Sequence, residues 1–157
     1  SNVYAFSIKD NLDIYSEHQK DGISFTIDKV RLTQQLQNHE SELTKEFSDN
    51  GIVLSGGEIQ KLAIARILDG EFGLLLFDEP SSALDPIAEE QVMQLIYSMA
   101  STTTTIVIAH RLSSIRDMDC ILVVDNGRII EEGNHNQLMN SKGLYYQMWN
   151  TQAEKYK

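Results

Sequence analysis

The chain has 157 residues, 41% of them hydrophobic, a balance that supports one compact domain with its own core and argues against disorder. Lys and Arg number 13 against 23 Asp and Glu, a net charge of -10, so a nucleic acid backbone would meet repulsion and is not expected as a direct partner. The longest apolar runs, such as Leu74 to Phe77 and Ile121 to Val124, fall far short of the roughly 20 residues that cross a bilayer, which puts any membrane link outside this chain.

From Ile8 to Asn50 the sequence is polar, acidic and weakly periodic, with Val30, Leu32 and Leu36 set among Gln, Asn, Glu and Lys. This pattern predicts short helices and loops, a small helical subdomain over residues 1–50. Glu58 to Leu68 carries Ile59, Leu62, Ala63, Ile64 and Ile67 near helical spacing, leaving Lys61 and Arg66 for the outer face. Phe72 to Phe77 is a short, continuous apolar run ending in Asp78-Glu79-Pro80, the pattern of a strand buried on both faces that surfaces at its carboxyl end. Ile87 to Met99 sets Val92, Leu95, Ile96 and Met99 on one helical stripe, and Thr104 to Ala109 is a second apolar strand ending in His110. Strand, helix, strand predicts a parallel α/β core with a right-handed crossover. Cys120 to Val124 and Arg128 to Ile130 flank Asp125-Asn126-Gly127, a tight-hairpin signal, and a last helix runs through Leu144 to Trp149. The core, this hairpin and the last helix together occupy residues 51–157.

Four short segments carry chemistry, and each has a plainer structural use. Leu54-Ser55-Gly56-Gly57-Glu58 opens a helix, where the hydroxyl and two glycines let a phosphate approach free backbone amides at the positive helix end. Ser55-x-x-Glu58 is equally a capping box that satisfies the helix's own donors. Gly51-x-x-x-x-Gly56 imitates a phosphate loop, but Gly57-Glu58 stand where Lys and Ser or Thr are required, and no glycine in the chain precedes a lysine. Asp78 and Glu79 emerge from a dry strand, suited to one carboxylate organising the water shell of Mg²⁺ and the next orienting or deprotonating an attacking water; a solvated acidic turn is the alternative. Asp85 followed by Pro86 suffices as an N-cap. His110 is suited to a γ-phosphate contact or to serving as a polar exit from the core. His18, His39 and His135 show no metal-ligand spacing with Cys120, and a single cysteine allows no intrachain disulfide, which favours a reducing compartment.

In order, Leu54-Ser55-Gly56-Gly57, Leu74-Leu75-Leu76-Phe77-Asp78-Glu79-Pro80, Ser82-Ala83-Leu84-Asp85 and Ala109-His110-Arg111-Leu112 resemble the ATP-binding-cassette family, and the resemblance covers nearly the whole chain. It implies a P-loop NTPase-like fold in which Ser55, Gly56 and Gly57 form the signature motif, Asp78 and Glu79 are the Walker B aspartate and catalytic glutamate, Asp85 is the D-loop residue and His110 the switch histidine. Val3 to Leu12 looks like the segment after the family's Q-loop, and Asp125 to His135 is similar to the C-terminal region of exporter-type cassettes. Glu58 stands where the family's signature has glutamine.

The resemblance implies ATP and Mg²⁺ as ligands, a second nucleotide-binding domain as partner, and a transmembrane domain on the same or another chain. The parent would be an ATPase at the cytoplasmic face of the membrane, coupling hydrolysis to transport. The Walker A loop, which the family places before this region, is missing from the 157 residues, so the chain alone is expected to be inactive. A soluble cassette acting as an ATP-dependent clamp in translation or DNA maintenance is the alternative, against which the acidic balance and exporter-like tail both speak.

Overall fold

The computed structural model describes residues 4–14, 22–34, 36, 41–44, 49, 51–68, 70–82 and 84–154, which leaves His18, His39 and Ala83 outside the described residues. The chain divides into two compact units, Ser1–Ile106 and Val107–Lys157.

In the first unit, α1 (Ile8–Leu12) begins at Ser7, whose hydroxyl accepts the Asp10 amide at 3.1 Å, and α2 (Gly22–Lys29) follows. Ile8, Leu12, Ile27, Val30, Leu32 and Leu36 are buried in one cluster with Leu62 and Ala65 of α3 (Gly56–Leu68). Burial of each such side chain is worth about 1.5–3 kcal/mol relative to exposure, so these apolar residues, sparse as they are, fasten α1 and α2 to α3. α3 starts two residues ahead of the expected Glu58, because Ser55 already serves as its cap and the Ile59 amide donates to the Ser55 carbonyl at 2.9 Å.

Arg66 does not take the outer face. It is 7% exposed, and its Nε donates to the Asn11 carbonyl at 2.8 Å while Nη2 donates to Asn11 Oδ1 at 2.9 Å. Asn11 is itself buried, and its amide nitrogen donates to the Tyr4, Phe6 and Ser7 carbonyls. A buried guanidinium is tolerated where its donors are met, and here Asn11 of α1 takes two of them. Lys61 also turns inward along the surface, its Nζ donating to Gln91 Oε1 of the next helix at 2.9 Å.

β1 (Leu74–Asp78), α4 (Pro86–Ala100) and β2 (Thr104–Ile108) form the expected strand, helix, strand unit, with β1 and β2 neighbours in a two-stranded sheet. On α4, Val92, Met93, Ile96 and Met99 are buried. The expectation that β1 is buried on both faces is not met. Leu75 and Phe77 are buried, whereas Leu74 and Leu76 are 54% and 64% exposed. An unbroken apolar run marks a strand suited to two cover layers, and here the side that carries these two leucines stays more than half exposed.

The second unit opens with a 3₁₀ turn (Leu112–Ile115) and continues as the β3 (Ile121–Asp125) and β4 (Arg128–Gly133) hairpin. Asp125 pairs with Arg128, and Asn126 and Gly127 take φ of 47° and 73°, the left-handed pair that a two-residue hairpin turn needs. A helix unforeseen from sequence, α5 (His135–Ser141), is started by a reciprocal Asn134–Gln137 capping box, and α6 (Leu144–Glu154) runs five residues beyond the expected Trp149. The Glu131 carboxylate accepts the Leu144 and Tyr145 amides at the start of α6. Leu112, Ile121, Val123, Leu138 and Tyr145 make the core of this unit, with Trp149 packed against it.

Candidate nucleotide site

The start of α3 is a closed capping box. The Ser55 amide and hydroxyl both donate to Glu58 Oε2, at 2.7 and 2.8 Å, and the Glu58 amide donates back to Ser55 Oγ at 3.4 Å. Glu58 therefore turns onto its own helix start, with its charge at the positive end of the helix. The two glycines differ. A Cβ on Gly57 would lie 2.9 Å from Leu84 Cδ2, so a side chain there would push the leucine's end aside, whereas a Cβ on Gly56 would meet nothing within 4 Å.

That contact brings the Ser55–Gly57 loop against the turn leading into α4. Asp85 caps α4, accepting the Ile87 and Ala88 amides at 2.9 and 3.0 Å, with Pro86 in the first turn. The Ala88 hydrogen bond foremost, then the Ile87 bond and the Lys61 charge, holds the Asp85 carboxyl below its ordinary value.

Asp78 ends β1 exposed to solvent, and Glu79 follows it half-buried with φ of 47°. A glutamate in the left-handed region is strained, and persists only where neighbouring structure fixes it. Here the Ser82 amide donates to the Glu79 carbonyl at 3.2 Å, and buried Ser81 donates through Oγ to buried Glu89 on α4 at 3.1 Å. Both acids line a cleft of about 370 Å³ whose other wall is α3, through Gln60, Ala63, Ile64 and Ile67. The Gln60 Oε1 is buried without a hydrogen-bond partner among the described residues. The lining includes neither Ser55, Gly56, Gly57 and Glu58 nor Asp85, so the site residues of the first unit form two groups.

Among the described residues no three His, Cys, Asp or Glu side chains are grouped to hold a metal ion. A lone exposed carboxylate such as Asp78 nonetheless fits Mg²⁺, which keeps most of its waters and completes its shell with substrate phosphates. His110 lies two residues beyond β2, exposed, in the second unit. Its carbonyl accepts from Gln152 Nε2 at 2.7 Å, and the Leu112 amide donates to Gln152 Oε1 at 2.9 Å. Nothing in the local sequence around Gln152 signals this pairing, since its partners lie 40 and 42 residues away.

The family model described as ABC transporter matches residues 3–82. A lipid A-core flippase of Wigglesworthia glossinidia brevipalpis is 36% identical over 160 residues, taking in 98% of this chain and 27% of that protein. The chain belongs to the ABC transporter family. An ATM1-type heavy metal exporter of Novosphingobium aromaticivorans is 50% identical over 108 residues, 69% of this chain and 18% of the relative. A solved bacterial Atm1-family ABC exporter with ATP bound shares the fold at a TM-score of 0.81 and 36% identity, covering 98% of this chain and 27% of that one. The segment is thus of exporter-type ABC nucleotide-binding fold, part of the P-loop NTPase-like α/β core with its helical subdomain, and it spans about a quarter or less of the length of these relatives.

Proposed function

We propose that the chain is the hydrolytic part of an ABC exporter that spends ATP to move a substrate across a membrane, working at the cytoplasmic face beside a transmembrane domain. Glu79 carries this reading, since a strained carboxylate at a strand end, beside exposed Asp78 and facing a cleft, is costly for a fold and useful for a reaction. Glu79 accepts a proton from the attacking water as the water oxygen bonds the γ-phosphorus and the bond to ADP breaks. Asp78 would hold Mg²⁺, which would supply positive charge against the phosphate oxygens when bound, and His110 donates a hydrogen bond to the γ-phosphate.

Ser55, Gly56 and Gly57 offer their helix start to the ATP of a second nucleotide-binding domain, with Asp85 beside them, so that two domains share each site. The separation of the first unit's residues into a cleft group and a helix-start group is in keeping with that division of labour. Because Glu58 bonds its own cap, its charge is held on Ser55 and opposes an approaching phosphate less than a free carboxylate would. With no Gly-Lys-Ser/Thr loop among its 157 residues, the chain alone should neither bind ATP tightly nor turn it over. In the full-length protein, Glu79→Gln should keep ATP binding and lower turnover at least about 100-fold, because an amide hydrogen-bonds water but takes no proton. Turnover at the unaltered rate would reject Glu79 as the base.

A further inference from the structure

His110 leads from β2 into the 3₁₀ turn through extended Arg111, with φ of -94° and ψ of 111°, and Arg111 makes no side-chain cap for the turn. The orphan amide at the turn's first residue, Leu112, is satisfied from α6 by Gln152 Oε1, and the same side chain donates to the His110 carbonyl. One planar amide thus clamps the backbone on both sides of Arg111, using its acceptor for the N–H and its donor for the C=O. Its orientation is dictated, because a flipped amide would set NH₂ against N–H and oxygen against oxygen. Gln152 sits on an anchored helix: one turn earlier Trp149 packs on His135 at 4.4 Å between ring centres, and Tyr145 is buried.

We infer that Gln152 is a positioning residue for ATP hydrolysis, fixing the backbone of His110 so that its imidazole meets the γ-phosphate. The inference rests on His110 having the role proposed above. A hydrogen-bonding side chain must be held to within a fraction of an ångström of its working place, and a misplacement of about 1 Å costs up to about 100-fold in rate. Gln152 supplies that restraint from outside the strand, where the 3₁₀ turn has no cap of its own.

The test is steady-state ATP hydrolysis by the full-length protein carrying Gln152→Leu, Gln152→Glu, His110→Ala, and His110→Ala with Gln152→Leu. Gln152→Leu should lower kcat about tenfold or more with KM for ATP within about twofold, and add nothing further once His110 is alanine. Gln152→Glu keeps the shape but, ionised at pH 8, sets an oxygen against the His110 carbonyl in place of the donor. Its kcat should therefore fall as that of Gln152→Leu does, again with KM for ATP within about twofold. A lowered kcat in the double variant beyond His110→Ala alone, or an unaltered kcat in Gln152→Glu, would reduce Gln152 to a structural tie and overturn the inference. If His110→Ala impairs turnover while Gln152→Leu does not, the inference falls and the role of His110 stands. If His110→Ala itself leaves turnover unchanged, both fall.

Discussion

α4 and α3 begin alike, each with an oxygen-bearing cap and an acid at its positive end. At α4 the Asp85 carboxylate takes the Ile87 and Ala88 amides and Pro86 sets the first turn, so every residue is accounted for by the helix it starts. At α3 Ser55 and Glu58 close a box and Gly57 lies close against Leu84, but Gly56 has open space around its missing side chain. A glycine that the fold does not need loses stability relative to alanine, which directs attention to something outside the chain that approaches its backbone closely. The difference between the two starts is one glycine, and the proposal that α3 meets a ligand gives that glycine a use.

The largest expected effect is at Gly56. Gly56→Ala should leave this chain as stable or more stable, by up to about 1 kcal/mol, while ATP-driven association and turnover of the full-length protein fall about tenfold or more. Equal activity with raised stability, read by thermal unfolding beside ATPase assay, would make α3 as plain a helix start as α4. Glu58→Gln is next in size. It keeps a hydrogen bond to the Ser55 amide but removes a favourable charge, so unfolding should show a loss of about 0.3–1 kcal/mol with no gain in ATP-driven dimerisation. Tighter dimerisation without lost stability would mean that Glu58 faces the phosphate after all.

The smallest effect belongs to Asp85. Its folded pKa is depressed, so its contribution is present above the unfolded carboxylate value near about 4 and is lost as pH falls through the lower folded value. Asp85→Asn should therefore be less stable than the unaltered chain at neutral pH, with the gap narrowing in acid denaturation below about pH 4. A gap independent of pH would remove the charged cap from the account.

Much of this was legible beforehand because the signals are local. Asp125-Asn126-Gly127 dictates a hairpin through φ alone, Ser55-x-x-Glu58 and Asp85-Pro86 are caps within four residues, and the α4 stripe has helical period. The misreadings are of long-range satisfaction. Arg66 is a charge that periodicity assigns to solvent, and its burial depends on Asn11, 55 residues away. The unequal roles of Gly56 and Gly57 depend on where Leu84 folds back, and the strain at Glu79 is set by a turn that Ser81 ties to Glu89. The exposure of Leu74 and Leu76 has the same character, since an apolar run states what a strand can bury and not what lies over it.

In the proposed arrangement the cleft group and the helix-start group serve two different ATP molecules, and pairing altered subunits separates this from a site made within one copy. Two differently tagged full-length copies can be combined with Glu79→Gln and Gly56→Ala either on one copy opposite an unaltered one, or on opposite copies. If each site joins one copy's Glu79 to the other's Gly56, both changes on one copy damage both sites and ATP turnover is nearly lost. Placed on opposite copies, they fall in one site and leave the other whole, so substantial turnover remains. The reverse order, with more turnover when both changes share a copy, would contradict the claim and put Glu79 and Gly56 at the same ATP.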